Sequence, residues 1–236
     1  MSKLLKFTHS EDFTTEIAYL IQEKILNVYD KNGLVRLALS GGDTPLPIYE
    51  KLAQSQVIPW DRVEIYQVDE RYVDSTNPDS NQGSISKIFG PVCSFFKEFV
   101  TWNTMLPIQE SSKQYNQYLE SVAEEDDFLF DLVILGMGND GHTASLFPKD
   151  PALDNTQDWS IFSLNTVSKT PQRLSLTYKS LLNSDDIFLL LNGEEKLKTL
   201  DKVLGENIDF HNFPIRKIID EHQNTTIFIL IDEQNN

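Results

Sequence analysis

The sequence predicts an α/β fold: a doubly wound, mainly parallel β-sheet flanked by helices. Short apolar runs alternate along the chain with segments in which apolar residues recur about every 3.6 positions. Most of the runs are nearly continuous, as strands are when both faces of a sheet are covered. Strands and helices that alternate in this way form right-handed βαβ units. At 236 residues the chain can bury a large core, and we expect a single domain over residues 1–236.

The individual elements follow from these patterns. Runs rich in Val, Ile, Leu and Phe predict six strands, at 34–39, 63–68, 132–135, 161–164, 187–191 and 226–231. Apolar residues at helical spacing predict five helices, at 13–29, 46–53, 80–89, 113–123 and 194–204. Pro45 suits the first turn of the second helix, and Ser80 is the expected N-cap of the third. No internal repeat, low-complexity segment or long linker interrupts the alternation.

The chain is strongly acidic, which limits the partners that it can bind. It carries 36 Asp and Glu residues against 20 Lys and Arg, a formal net charge of −16. Nucleic acids and anionic membranes require clustered Lys and Arg, so neither is an expected partner. An anionic metabolite would also be repelled at long range. Basic side chains at an anion site must therefore reverse the field locally, and their positions are informative.

Cysteine use and the first residues bear on the compartment. Cys93 is the only cysteine, so the chain can form neither an intrachain disulfide nor a Cys-based zinc cluster. Residues 1–10 turn polar too early for a secretory signal, and no apolar run approaches the roughly 20 residues of a membrane span. We therefore expect a cytoplasmic location.

The segment after the first predicted strand is a candidate phosphate cradle. Ligands bind at the carboxyl ends of the strands in doubly wound sheets. Here Ser40 and Thr44 offer hydroxyl groups, and Gly41 and Gly42 let the backbone approach a ligand. The helix that follows presents N–H groups and a positive dipole. The alternative is an ordinary strand-to-helix turn, and the carboxylate of Asp43 is not expected to be a ligand.

Three charged residues, Asp69, Glu70 and Arg71, directly follow the second predicted strand. Arg71 could clamp a phosphate, with Asp69 or Glu70 orienting it or contacting sugar hydroxyls. The alternative is a solvent-exposed loop with a local ion pair, which is the usual meaning of a run of charges.

The glycine-rich segment at 136–148, GMGNDGHTASLFP, is the most informative one. Glycines at this density, Gly138 among them, indicate close approach of the backbone to a ligand. His142 is a candidate general base, and Asp140 could hold its tautomer or contact the substrate. An Asp-x-His pair also suits a metal site, but no third or fourth ligand lies nearby in the sequence. The remaining histidines lack such a context and are predicted to be structural or surface residues: His9, His211 and His222.

Two basic residues lie beside other strand ends. In so acidic a chain, Arg173 and Lys196 are candidates for anion recognition. The alternative for Lys196 is a helix-surface lysine that pairs with neighbouring glutamates. The alternative for Arg173 is a charge on an edge strand.

Taken together and in this order, these segments resemble the 6-phosphogluconolactonase family. The resemblance runs over nearly the whole chain, and the segment at 136–148 is highly specific. Further matching segments are Pro59-Trp60, Asp69-Glu70-Arg71, Ser80-Asn81 and Arg173-Leu-Ser-Leu. The resemblance implies a Rossmann-like sheet and hydrolysis of 6-phosphogluconolactone in the pentose phosphate pathway. It also implies no metal, no cofactor and a phosphosugar lactone as the partner, and leaves open a monomer or a dimer.

The wider superfamily also contains glucosamine-6-phosphate deaminases, which are the main alternative. Such deaminases typically carry Asn-Glu-Pro after the histidine, where this chain has Leu146-Phe147-Pro148. Apolar side chains here replace the acid that ring opening uses, which favours the lactonase. A non-catalytic sugar-phosphate sensor would not need His142 and Asp140, the catalytic residues that the lactonase interpretation implies. That interpretation assigns substrate and phosphate binding to Ser40, Gly41, Gly42, Thr44, Asp69, Arg71, Gly138, Arg173 and Lys196.

Overall fold

A seven-stranded parallel sheet forms the centre of the protein. The structure, a computed structural model, describes residues 2–123, 128–164 and 169–231. The strands are β1 (Lys3–Phe7), β2 (Val35–Leu39), β3 (Val63–Gln67), β4 (Asp69–Arg71), β5 (Glu98–Val100), β6 (Phe130–Leu135), β7 (Ser160–Leu164), β8 (Gln172–Leu176), β9 (Ser184–Asn192) and β10 (Thr225–Leu230). The central sheet has the order β1-β10-β9-β6-β2-β3-β5, and its neighbouring strands are parallel. The mainly parallel sheet predicted from the sequence is confirmed.

Helices cover both faces of this sheet. They are α1 (Ser10–Asn32), α2 (Leu46–Ala53), α3 (Asn81–Phe89), α4 (Ile108–Ala123), α5 (Tyr178–Leu182), α6 (Glu194–Val203) and α7 (Ile215–Glu221). Buried side chains of α1 to α3 form one apolar cluster with the sheet, and those of α4 to α7 form another. Leu37 and Leu39 of β2 belong to the first cluster and Ala38 to the second, as the alternation of a strand requires. The fold is therefore doubly wound.

Helix α1 extends beyond both ends of the predicted segment 13–29. The additional turns are polar, and Glu11 and Asp12 in the first turn interact favourably with the positive end of the helix dipole. Gly33 ends the helix in the left-handed conformation, with φ of 72°. Hydrophobic periodicity thus identifies the buried middle of the helix rather than its capped ends. Among the helices of the described residues, none is both long and apolar enough to cross a membrane.

The predicted strand at 161–164 exists as β7, but it lies outside the central sheet. It pairs antiparallel with β8, which pairs antiparallel with β4, in a separate three-stranded sheet. Phe162 and Leu164 of β7 are 48% and 58% exposed. The expectation that both faces of this strand are buried was therefore wrong, because a short apolar run does not distinguish a central parallel strand from an antiparallel edge strand.

Several short elements were not predicted. Strands β1, β4, β5 and β8 have three to five residues, and helices α5 and α7 have five and seven. These strands lack the apolar runs that predict the other strands, and these helices carry too few residues for a periodic pattern. Pairing or packing decides their structure. Strands β4 and β8 matter most, because they carry Arg71 and Arg173.

Candidate active site

A cavity of about 390 Å³ lies at the carboxyl ends of β2, β6 and β9. Ligands of doubly wound sheets bind at this edge, and the volume suits a small molecule. The predicted site residues that line it are Ser40, Gly41, Gly42, Thr44, Asp69, Arg71, Gly138, His142, Arg173 and Lys196. Asp140 is not a lining residue but contacts His142. The fold thus brings all the predicted segments to one place.

The loop between β2 and α2 forms one wall of the cavity. Gly42 has a φ of +90°, which favours glycine, and the loop turns there. The hydroxyl of Tyr49 donates a hydrogen bond to the main-chain oxygen of Ser40 at 3.0 Å. The buried Oγ of Ser40 has no hydrogen-bond partner among the described residues. A hydroxyl group in this position can bind a ligand, whereas Asp43 is exposed at the rim.

Glu70 does not face solvent, contrary to the expectation for this run of charges. It is completely buried, and its carboxylate accepts hydrogen bonds from the backbone N–H groups of Asn81 and Gln82 at 2.7 Å. Arg71 N and Gln67 Nε2 donate to it at the same distance. Burial raises the pKa of Glu70, and these hydrogen bonds oppose the shift. Glu70 therefore anchors the N-terminus of α3 to β4, and Ser80 is the N-cap as predicted.

Asp69 connects two walls of the cavity. One carboxylate oxygen accepts a hydrogen bond from Asn81 Nδ2 at 2.9 Å, and the other accepts one from Ser145 Oγ at 2.7 Å. Asn81 belongs to α3, and Ser145 belongs to the glycine-rich loop. Although Asp69 lines the cavity, its carboxylate is thus already engaged in hydrogen bonds within the protein.

Two arginines lie opposite each other on adjacent strands of the three-stranded sheet. Arg71 of β4 is the register partner of Arg173 in β8, the central strand of that sheet, so the edge-strand interpretation of Arg173 was wrong. Like charges placed opposite each other in an antiparallel pair are destabilising. Burial and the charge of Arg71 lower the pKa of Arg173, while Asp69, Glu70 and Asp79 oppose this shift. A bound anion would offset the repulsion, so the pair is a candidate anion clamp.

His142 and Asp140 form a hydrogen-bonded pair at the end of β6. The distance from His142 Nδ1 to Asp140 Oδ1 is 2.6 Å. Partial burial tends to raise the pKa of Asp140, but the hydrogen bonds from His142 outweigh it and lower the pKa. An ionised carboxylate only accepts, so the hydrogen must lie on Nδ1. In the neutral tautomer with this hydrogen, Nε2 carries the lone pair and can accept a proton.

The glycines of this loop make room for the pair. A β-carbon at Gly138 would lie 2.1 Å from His142 Nδ1 and 2.5 Å from Asp140 Oδ1. The Gly138 N–H donates to the main-chain oxygen of His142 at 2.8 Å and closes the loop. Gly141 has a φ of +80°, and a β-carbon there would lie 2.6 Å from the ring of Phe213. Only a loop with glycine at these positions can carry the imidazole in this orientation.

Lys196 lies in the first turn of α6 and faces the cavity. It has no ion pair within the described residues, whereas Lys198 pairs with Glu194 at 3.9 Å. Burial lowers the pKa of Lys196, and the charges of Asp140 and Glu195 oppose this shift. The predicted alternative, a surface lysine that pairs with glutamates, therefore describes Lys198 rather than Lys196.

Other cavity residues were not assigned to the site from the sequence: Asn81, Ser145, Phe147 and Asn192. Ser145 and Phe147 belong to the glycine-rich segment, and Asn192 ends a strand, so their positions along the chain were a usable signal. For Asn81 the signal was the Ser80-Asn81 match to the family, but its place in the cavity follows only from the packing of α3 against β4. The Phe147 ring packs against that of His142, with centroids 4.8 Å apart.

Within the described part of the chain, the other histidines and acids form no second site of this kind. His222 is buried and contacts the main-chain oxygen of Ser184 at 2.8 Å. His211 lies between Asp209 and Asp154, with both distances 2.9 Å. Over residues 2–123, 128–164 and 169–231, no group of three or more His, Cys, Asp and Glu side chains is arranged to hold a metal ion.

Comparisons with known proteins show the family of the chain. Residues 8–228 match the protein family described as glucosamine-6-phosphate isomerases/6-phosphogluconolactonase. The chain is 34% identical to a probable 6-phosphogluconolactonase of Dictyostelium discoideum, over 96% of this chain and 98% of that protein. It is also 34% identical to the 6-phosphogluconolactonase of Thermotoga maritima, over 83% and 84%. A crystal structure of a 6-phosphogluconolactonase from Shewanella baltica superposes with a TM-score of 0.87 at 28% identity, covering 98% of both chains.

Proposed function

Because the chain belongs to the glucosamine-6-phosphate isomerase/6-phosphogluconolactonase family, we propose that its cavity hydrolyses 6-phospho-D-glucono-1,5-lactone to 6-phospho-D-gluconate. This is a hydrolase reaction of the oxidative branch of the pentose phosphate pathway. One observation carries the mechanism: an imidazole whose Nδ1 is hydrogen-bonded to a carboxylate shares a cavity with two opposed arginines and a glycine-containing loop. The first can activate water, and the others can hold a phosphate.

The phosphate is held at the side of the cavity formed by the 40–44 loop and the arginine pair. Ser40 and Thr44 supply hydroxyls, the loop supplies backbone amides, and Arg173 supplies charge together with Arg71 or Lys196. Binding the distant phosphate fixes the position of the lactone carbonyl, so remote binding energy is used for orientation.

His142 then removes a proton from water through Nε2 while the water oxygen bonds to C1. Asp140 lies outside the cavity lining, so its role is to hold the tautomer and to stabilise the imidazolium. The tetrahedral intermediate collapses, the bond from C1 to the ring oxygen breaks, and His142 returns the proton to that oxygen. Gly138 and Gly141 N–H groups already donate within the loop, which favours a cation over these two amides as the partner of the oxyanion.

The deaminase remains the second candidate, since the matched family includes glucosamine-6-phosphate isomerases. Phe147 argues against it, because an apolar ring packs on His142 in the segment where such deaminases carry an acid. A sugar-phosphate sensor is the third candidate, and it would bind without turnover.

A lactonase assay on the wild-type protein tests the proposal. Freshly prepared 6-phosphogluconolactone is added at constant pH, and acid release is measured above the spontaneous rate. We expect acid release from this lactone and no ammonia from glucosamine 6-phosphate. Ammonia release would support the deaminase, and calorimetric binding of 6-phosphogluconate without turnover would support the sensor.

We further propose that the protein acts in the cytoplasm as a monomer or dimer. A phosphorylated intermediate of central metabolism as substrate, and a single cysteine in 236 residues, support this compartment.

A further inference from the structure

Asn81 is a polar side chain of the cavity that the mechanism above does not use. It is 2% exposed and begins α3, and its side chain reaches the cavity wall beside Gly41. A β-carbon at Gly41 would lie 2.0 Å from Asn81 Oδ1, so the amide oxygen occupies the space that any other residue at position 41 would fill. The amide therefore lies directly against the 40–44 loop, the proposed phosphate loop.

The orientation of this amide is determined by its neighbours. Nδ2 donates at 2.9 Å both to the main-chain oxygen and to Oδ1 of Asp69. Both are acceptors, so the nitrogen must face Asp69 and the oxygen must face Gly41. Asp69 is itself held by Ser145 Oγ at 2.7 Å. Among the described residues no donor binds Asn81 Oδ1, which leaves an oriented acceptor in a cavity otherwise rich in cations and donors.

The chemistry of an acceptor limits what it can bind. A phosphate monoester is mostly dianionic at neutral pH and offers only acceptor oxygens, so it is not the partner of Asn81 Oδ1. Sugar hydroxyls are donors. In the bound lactone the phosphate lies on C6 and the reacting carbonyl is C1, and the ring hydroxyl nearest to the phosphate is that on C4. The contact of Asn81 with the phosphate loop selects this hydroxyl.

We propose that Asn81 is a specificity-determining residue whose Oδ1 accepts a hydrogen bond from the C4 hydroxyl of the phosphosugar lactone. This inference rests on the proposed function, since it uses the same substrate in the same cavity. Sites that hydrogen-bond a substrate hydroxyl discriminate strongly against analogues that lack it, because their polar group is left without a partner.

A substrate-and-variant cycle tests the inference. kcat/KM is measured for wild type and Asn81→Ala with 6-phosphogluconolactone and with its 4-deoxy analogue. We expect the wild type to lose about tenfold on the 4-deoxy lactone, and the variant to lose less than about twofold. Asn192→Ala removes another asparagine of the same cavity and should keep the wild-type tenfold loss. Asn81→Ser, which keeps a small polar side chain at the start of α3, replaces Asn81→Ala if the latter does not fold.

The outcomes separate this inference from the function on which it rests. Equal losses on the 4-deoxy lactone for wild type and the Asn81 variant would overturn the role of Asn81 and leave lactone hydrolysis intact. A wild type that hydrolyses neither lactone would overturn the proposed function, and the inference with it. The inference is supported if kcat/KM falls on the 4-deoxy lactone only in proteins that retain Asn81.

Discussion

Two Asp-x-His pairs in this chain have similar local geometry and different surroundings. His142 Nδ1 lies 2.6 Å from Asp140, and His211 Nδ1 lies 2.9 Å from Asp209. The surroundings of the second ring nitrogen, Nε2, distinguish the two pairs. Nε2 of His211 contacts Asp154 at 2.9 Å, whereas His142 lines the cavity. Hydrogen bonds to Asp154 and Asp209 raise the pKa of His211 and favour its charged form, which cannot act as a base.

His142→Ala should lower kcat on 6-phosphogluconolactone by about 10²–10⁴-fold, because it removes the group that accepts the proton of water. Steady-state kinetics on freshly prepared lactone measures the effect, after correction for spontaneous hydrolysis. His211→Ala is the matched control, since it removes an imidazole with the same local pairing and should leave kcat within about twofold. Wild-type turnover by His142→Ala would refute the assignment of the base.

Arg173→Gln should raise KM for 6-phosphogluconolactone by at least about tenfold, because a charged hydrogen bond to the phosphate is lost. Hydrolysis of unphosphorylated glucono-1,5-lactone should change little. Arg62, an exposed arginine next to Asp61, provides the control Arg62→Gln. If the wild type hydrolysed the phosphorylated and unphosphorylated lactones equally well, the phosphate role of Arg173 would be excluded.

At the scale of elements, most of the proposed site residues lie in loops at the strand ends, and pairing of short strands positions the two arginines. Strands β4 and β8 have three and five residues, yet their register places Arg71 opposite Arg173. Glu70 of β4 fixes the N-terminus of α3, and so the position of Asn81. The glycine-rich loop after β6 positions its side chains through its backbone, because its glycines leave space for the side chains of their neighbours.

Gly138→Ala should lower kcat by about 10²-fold, because its β-carbon would displace His142 or Asp140 by about an ångström. KM should change less, since the 40–44 loop, which is proposed to bind the phosphate, forms a different part of the cavity wall. Gly136→Ala is the comparison within the same loop, because a β-carbon there meets no atom within 4 Å. Equal kinetics for the two variants would show that the space beside the imidazole is not required.

At the scale of the whole molecule, both apolar clusters are built on the same seven-stranded sheet. One contains Trp60 and the other Trp102, on opposite faces. Alternate residues of a strand belong to different clusters, so neither layer can lose its packing without exposing strands that the other layer needs. This is the physical reason to expect one domain over residues 1–236.

We therefore predict that the protein unfolds in a single cooperative transition. Variants that retain only Trp60 or only Trp102 report on the two layers separately. Fluorescence of both and far-ultraviolet circular dichroism should give the same urea midpoint. Two separate midpoints for the two tryptophans would indicate independently stable layers and contradict a single domain.

The sequence by itself determined the doubly wound sheet and most of the site. Apolar runs and 3.6-residue periodicity reflect burial, on which the fold class depends. Glycines beside hydroxyl, imidazole or charged side chains after strands marked the edge of the sheet where ligands bind. It did not determine the three-stranded sheet, the burial of Glu70 or the place of Asn81. Those depend on pairing and packing between segments far apart in the chain. A short segment has no periodicity of its own, so only the tertiary structure could decide which groups meet there.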